Sequence, residues 1–449
     1  MRKLFGTDGI RAVAGEAPLD PATIYAVGLA LAHQLKQNGS RPTVILGMDT
    51  RESSEWITAV LSAGLAKGGA AIESAGVVTT PAIAFLARKH HFAAGVVISA
   101  SHNPWHDNGI KVFGGDGYKL PDEVELRIEE EIFRQLASVE APDPTTVTPP
   151  NPEPRYRAEY EQFLLSAVPG LHLGDLKLVL DCANGAASAI APELFARLGG
   201  KIQLTHVQPN GRNINDNCGA LYPATVAAET KASHADIGVT FDGDADRALF
   251  ADANGRVVNG DAILLLTARD LKSRNMLQGN MVVATTMSNM GLEAALRRDE
   301  IKMLRAPVGD KYVLEMMQAN AASLGGEQSG HILFPHLATT GDGLLTALVV
   351  LDLVRRAGKP LHELTADLKV FPQVILNVRV KEKKPLLEIE SIAATIRRAE
   401  GELDGNGRVV VRYSGTEPLA RVMIEAESQE TMQYHAEAIA KAIREELGA

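Results

Sequence analysis

An α/β fold is what the sequence predicts, from one pattern met three times: a short apolar strand, a small-residue turn, then an amphipathic helix. Residues 43–47 (Thr-Val-Ile-Leu-Gly) lead through Asp49, Thr50 and Arg51 into a helical segment over 54–67. Residues 176–180 lead through 181–185 into a helix ending near Leu198, with Gly199 and Gly200 as its stop. Residues 281–284 lead through 285–289 into a helix ending near Arg298. Strands alternating with helices build α/β layers, and three such passages suggest three related units.

The breaks between units are read from turn and proline signals. Residues 141–154 hold six prolines in fourteen positions, which predicts an exposed, extended connection. A turn signal at Ala253, Asn254 and Gly255 marks the next boundary, and Phe371-Pro372 a third. Beyond it, 374–380, 408–412 and 421–424 read as strands and 431–447 as a helix, a compact α+β module. The expected domains are therefore 1–145, 155–253, 254–369 and 370–449.

Bulk properties exclude several classes. The 449 residues suffice for three or four ordinary domains. Lysine and arginine number 45 against 55 acidic residues, a formal charge of −10, which argues against nucleic acid or an anionic membrane as partner. Two cysteines, Cys182 and Cys218, make no disulfide framework and fit a reducing compartment. The start reads as no signal peptide. The longest apolar stretch, 343–354, contains Thr346 and Asp352 and is too short to span a bilayer. The expected location is cytoplasmic.

Two loops carry the chemistry. Residues 95–98 (Gly-Val-Val-Ile) read as a buried strand that delivers Ser101 into a turn set by Asn103-Pro104. Residues 237–241 form a second apolar run, ending in Asp242-Gly243-Asp244-Ala245-Asp246-Arg247. An EF-hand reading fails, because its sixth and twelfth positions would be Arg247 and Ala253. An aspartyl-phosphate hydrolase would leave Ser101 idle and needs a different residue at Asp246. Three carboxylates at alternate positions can aim at one hard cation and leave sites for water and a phosphoryl oxygen, which suits Mg²⁺. Arg247 beside them can bind a phosphoryl group or balance the carboxylates. The pair of loops suggests a phosphorylated serine facing a divalent cation.

With these residues in place the chain resembles the α-D-phosphohexomutases, most closely their bacterial phosphoglucosamine mutase subgroup. The opening Leu4-Phe5-Gly6-Thr7-Asp8-Gly9-Ile10-Arg11, the serine loop, the aspartate loop, Gly326-Glu327-Gln328-Ser329-Gly330-His331 and Arg412-Tyr413-Ser414-Gly415-Thr416-Glu417-Pro418 match the family's motifs in order. The resemblance implies three similar α/β domains and a smaller C-terminal α+β domain around a central active-site cleft. It implies Ser101 as the phosphorylated nucleophile, with one Mg²⁺ held by Ser101, Asp242, Asp244 and Asp246. Glu327 and Ser329, two apart on an extended segment, are expected to meet sugar hydroxyls. Arg412, Ser414, Gly415 and Thr416, with Arg421, are expected to hold the phosphate that is not reacting. Arg11 and Arg51 bind phosphate or hold the serine loop, and His102 orients Ser101. Lys111 leads as general base, with a phosphate-steadying lysine as the equal alternative; Arg247 and His331 complete the catalytic set.

The implied reaction interconverts glucosamine 6-phosphate and glucosamine 1-phosphate through a bisphosphorylated sugar. A hexose bisphosphate is the expected activator and a homodimer the possible assembly. Mannose or glucose phosphates are the near alternative. A phosphatase or a sugar-phosphate-binding protein would differ in class, and an intact serine and aspartate triad argue against the latter. At 306–311 (Ala-Pro-Val-Gly-Asp-Lys) the chain departs from the family, which commonly carries Thr before that Val and Arg after the Asp. Lys311 keeps the charge and loses the planar fork.

Overall fold

The computed structural model describes residues 4–6, 8–36, 41–414 and 418–448. The chain forms two compact units, Met1–Thr286 with Leu304–Thr365, and Met287–Met303 with Ala366–Ala449.

In the first unit, strands β1 (Ile10–Val13), β2 (Thr43–Met48), β3 (Ala71–Val77), β4 (Ala94–Ile98) and β5 (Asp107–Gly114) form a sheet in the order β1-β5-β4-β2-β3. β2 is parallel to β3 and β4, while β5 is antiparallel to β4 and β1. β4 is buried along its whole length and unbroken in apolar character, as a strand covered on both faces must be. On one face, Ile24, Val27 and Leu31 of helix Pro21–Leu35, Val60 and Leu61 of helix Glu52–Lys67, and Ile128 and Ile132 of helix Asp122–Leu136 pack with Val44, Leu46, Val96 and Ile98. Each such side chain contributes roughly 1.5–3 kcal/mol by leaving water. On the other face Ile83 of helix Thr80–Lys89 presses against Gly47 and Gly95, where an added Cβ would stand 2.7 and 2.8 Å from its carbons.

The second sheet repeats this plan. β6 (Lys177–Asp181), β7 (Lys201–Thr205), β8 (Ile237–Phe241), β9 (Ala248–Asp252) and β10 (Val257–Val258) stand in the order β10-β9-β8-β6-β7, with the same strand senses. The third is shorter: β11 (Met281–Thr285), β12 (Lys302–Ala306), β13 (Gly325–Gly326) and β14 (Ile332–Leu333) in the order β12-β11-β13-β14. Here β13 is parallel to β11 and antiparallel to β14. In all three sheets a parallel strand (β4, β8, β13) turns through a short loop into an antiparallel neighbour (β5, β9, β14). Those corners are the serine loop, the aspartate loop and the 327–331 loop. They lie at carboxyl ends of parallel strands, where α/β folds place ligands.

The second unit holds the antiparallel sheet β15 (Gln373–Arg379), β16 (Gly407–Tyr413) and β17 (Leu419–Ala426), in the order β15-β17-β16. Val378, Val422 and Ile424 pack against Ile392 and Ile396 of helix Glu390–Leu403 and Ile439 and Ile443 of helix Gln429–Leu447. The first of these helices is an addition to the expected elements, although its buried Ile392, Ile396, Ala399 and Leu403 follow helical spacing. One expected helix is corrected. The segment after Gly185 is a short turn at Ala186–Ala189 followed by a separate helix, Ala191–Ala196, whose first turn carries Pro192. The proline-rich connection contains a single turn at Pro144–Thr146 and ends where Pro154 opens helix Pro154–Ala167. Among the described residues no helix is long and apolar enough to cross a membrane.

Candidate active site

Ser101 sits three residues past β4 in the left-handed region, φ 52°, a conformation uncommon for a residue with a Cβ. Its Oγ donates to Asp242 Oδ2 at 2.5 Å and lies 3.3 Å from His102 Nδ1. Its N–H donates to Ser99 Oγ at 3.0 Å. The two loops that the sequence paired thus meet across 141 residues.

The ligand atoms of Asp242, Asp244 and Asp246 lie within 4.8 Å of one another, and all three residues are buried. Asp244 Oδ1 and Asp246 Oδ1 have no hydrogen-bond partner. Burial, then the neighbouring Asp246 and Asp244, push the Asp242 carboxyl well above the usual carboxylate range. Buried, unpartnered carboxylate oxygens converging on one point are the donor set of a hard divalent cation, so the residues fit a metal.

The other oxygen of Asp244 is engaged by Thr80 Oγ1 and, at 2.7 Å, by Lys111 Nζ. Lys111 also lies 2.8 Å from Asp8 and 3.6 Å from Asp246. Lys119 bridges Asp8 and Asp310 at 2.6 Å each. His331 lies 3.6 Å from Asp310 through Nε2 and 3.6 Å from Asp246 through Nδ1. These pairs close a ring of alternating charge, Lys111–Asp8–Lys119–Asp310–His331–Asp246, that ties the three corner regions together. Burial opposes the charge on Lys111, but Asp244, Asp8 and Asp246 overcome it and hold the ammonium protonated far above its ordinary range. Of the two expected roles, general base and phosphate-steadying lysine, these partners give Lys111 the setting of the second. Lys119 and Asp310 are site residues the sequence does not announce, since a lone lysine in a turn carries no motif.

His331 is driven the same way. Burial lowers its affinity for a proton, but Asp246, then Asp310 and Glu327, raise it to about 9. In the metal-free protein its ion pairs therefore add stability that is complete below pH 6.5 and is lost as pH rises through 9. Thermal melting of metal-free protein should fall across that window, and H331Q should flatten the slope. His102, by contrast, is lowered to about 4 by burial, Arg247 and Arg11, and is a neutral imidazole beside the serine.

These groups open onto a cavity of about 390 Å³ lined by Asp8, Arg11, His102, Asp246, Arg247, Val308, Gly309, Asp310, Glu327 and His331, among others. Arg11, paired to Asp8 at 2.5 Å, and Arg247 are its guanidinium groups. Glu327 lines it and accepts from Gly309 N–H at 3.1 Å. Ser329 is half-buried and is not among the lining residues. The segment is a turn, closed by Gly330 N–H to Glu327 C=O at 3.0 Å, so the alternation expected of an extended chain does not apply. Gln328 reaches Asp261 at 3.2 Å. Lys311 also stands off this cavity, paired with Asp122. Arg51 is buried against Asp49 and donates to the carbonyls of Ser101 and Asn103; it holds the serine loop and leaves phosphate to others.

In the second unit, Arg412 and Arg421 face each other as register partners on β16 and β17. Like charges directly opposite are unfavourable unless an anion lies between them. Ser414 follows, its carbonyl accepting from Lys383 Nζ at 2.7 Å. The expected Gly415 and Thr416 lie outside the described residues.

Models of the phosphoglucomutase/phosphomannomutase family match the chain in four successive parts. They are α/β/α domain I at 2–138, domain II at 158–255, domain III at 259–371 and the C-terminal domain at 375–442. The chain belongs to this family. Full-length relatives agree. A Koribacter versatilis (strain Ellin345) protein named phosphoglucosamine mutase is 56% identical, covering 100% of this chain and 98% of its own. A Solibacter usitatus (strain Ellin6076) protein of the same name is 51% identical over 100% and 99%. Among solved structures, a family member from Burkholderia thailandensis shares the fold with TM-score 0.77 at 23% identity, covering 99% of each chain.

Proposed function

We propose that the protein is a phosphoglucosamine mutase, interconverting glucosamine 6-phosphate and glucosamine 1-phosphate through phosphorylated Ser101 and a bisphosphorylated sugar. The observation that carries the reading is Ser101 Oγ at 2.5 Å from Asp242, inside a buried triad with spare oxygens, in a chain 56% identical to a protein of that name. Phosphoserine gives its phosphoryl group to the sugar's free hydroxyl, and the sugar's original phosphate then returns to Ser101. The serine oxygen is leaving group in the first transfer and nucleophile in the second. Asp242, Asp244 and Asp246 would hold one Mg²⁺, which neutralises charge on the transferring group when bound. Phosphoryl transfer passes through a loose transition state, so the attacking hydroxyl loses its proton late and charge neutralisation bears most of the load; that proton ends on the departing Ser101 Oγ, and in the second transfer the Ser101 proton ends on the departing sugar oxygen. Lys111, Arg247 and His331 supply standing positive charge for that, and neutral His102 orients the serine. Glu327 accepts from sugar hydroxyls. Arg412 and Arg421, with Ser414, Gly415 and Thr416, grip the phosphate that is not reacting, whichever end of the sugar it occupies.

Turnover of the glucosamine, glucose and mannose phosphates with Mg²⁺ tests the reading, with enzyme prepared dephosphorylated. Glucosamine phosphate should be preferred, and added hexose 1,6-bisphosphate should restore activity by rephosphorylating Ser101. Release of inorganic phosphate in place of isomerised sugar phosphate would count against a mutase.

A further inference from the structure

Two donors from distant parts of the chain converge on the same two carbonyls of the serine loop. Arg51 Nη2 lies 3.0 Å from Ser101 O and 2.6 Å from Asn103 O. Asn215 Nδ2 lies 2.9 Å from the first and 3.1 Å from the second. Arg51 belongs to the same sheet layer as Ser101, but Asn215 comes from the loop between β7 and helix Pro223–Ala232 and carries no role in the mechanism above. We infer that Asn215 is a positioning residue for phosphoryl transfer, fixing the main chain of the serine loop so that Ser101 Oγ faces the aspartate corner. The inference rests on the phosphoserine reading.

The serine loop needs such a hold. Left-handed backbone is unfavourable at a residue with a Cβ, and relaxation of Ser101 from φ 52° would swing its Oγ off Asp242. Ser99 Oγ fixes the nitrogen side of that residue, and the Arg51–Asn215 pair fixes the carbonyl side.

Asn215 is itself held firmly. It is buried, its φ is 57°, and its N–H donates to Ala183 C=O at 2.9 Å. Beneath it, Asp181 staples the flanking segments: Oδ1 takes Ala183 N–H at 2.9 Å, and Oδ2 takes Gly219 N–H at 2.8 Å and Thr240 Oγ1 at 2.9 Å. Asp181 clusters with His206 and Cys218 at distances a metal could bridge. Both of its oxygens are already occupied by protein donors, so the cluster acts as this staple.

The aspartate corner meets the same junction. A Cβ added to Gly243 would stand 2.4 Å from Ser101 O and 2.9 Å from Asn215 Nδ2. Serine loop, aspartate loop and Asn215 therefore touch through main chain and one amide, and the amide sets their separation. Neither Arg51 nor Asn215 lines the 390 Å³ cavity, so loss of the amide should act on the chemical step and leave sugar binding alone.

Two variants test this in the full-length enzyme with Mg²⁺ and glucosamine 6-phosphate. N215G removes the amide and keeps a residue at ease with positive φ. N215D keeps the shape and turns an acceptor toward two carbonyl oxygens. Each should lower kcat by about 10²-fold, the scale of a 1 Å misplacement, while KM changes by less than about twofold. Single-turnover transfer from hexose 1,6-bisphosphate to dephosphorylated Ser101 should slow by the same factor. Unchanged kcat in both variants, or a KM that rises in step with the loss, overturns the inference. So does loss of folded protein in both, which would make Asn215 a residue of the fold alone. A parent enzyme that takes no phosphoryl group from hexose 1,6-bisphosphate overturns the functional reading as well; an active parent beside indifferent variants overturns only the role of Asn215.

Discussion

Ser101→Ala should remove mutase turnover by about 10³-fold or more, because it deletes the hydroxyl proposed to carry the phosphoryl group. Ser101 Oγ is the hydroxyl that donates to Asp242, and neutral His102 beside it offers no substitute nucleophile aligned with the acidic triad. The variant should still bind glucosamine 6-phosphate, since Arg11, Arg247 and Glu327 remain in the cavity. It should also remain folded. The lost bond leaves Asp242 short of a donor, at a cost of about 1–3 kcal/mol, but burial already favours the protonated form of that carboxyl. Isotope exchange from a labelled hexose bisphosphate into protein checks the same point. Label in parent and none in S101A is the expected pair, and label retained in the variant would move the nucleophile elsewhere.

Asp244→Asn should come next in severity. Asp244 joins the triad to Lys111 at 2.7 Å and to Thr80, and its second oxygen is unpartnered. The amide keeps the shape but removes a charge from the cation site and from Lys111 together. Metal affinity should fall about 10–100-fold and kcat about 10²-fold, with the loss in kcat only partly recovered at high Mg²⁺. Calorimetric titration of Mg²⁺ or Mn²⁺ into parent and variant measures the first effect. Activity after chelation and readdition of metal measures the second. A variant with parent-like metal affinity would reassign the triad to a structural role.

The parts of this site that are legible in the sequence are those whose signal is local. A hydrophobic strand ending in a turn announces a displayed residue, and three carboxylates at alternate positions announce a cation. Ser101 can therefore be paired with Asp242, Asp244 and Asp246 from the order of residues alone. Lys119, Asp310 and Asn215 are not legible, because each matters only through a partner brought near by the fold; Lys119 and Asp310 are 191 residues apart. Lys111 can be found but its role stays open between base and anion holder, since the number of carboxylates around a buried ammonium cannot be counted along a chain. The segment of Glu327 and Ser329 departs from its expected shape. The period-2 argument presumes an extended segment, and Gly330 closes a turn there. In the fold, strands are read more securely than helices: 186–198 keeps its apolar character but Pro192 divides it.

The three matching corners have an evolutionary meaning. On the function proposed above, equivalent corners of three sheets serve as nucleophile, cation site and sugar reader, each suspended from its own pair of strands. Substrate preference can then drift in one copy without retuning the other two, but only within a narrow window. Gly330, at φ 94°, lies so close to Ala248 that an added Cβ would stand 2.4 Å from its carbonyl oxygen. His331 answers to Asp246 and Asp310. On the same proposal, residues 327–329 are the span in which one hexose could be traded for another while the relay keeps running.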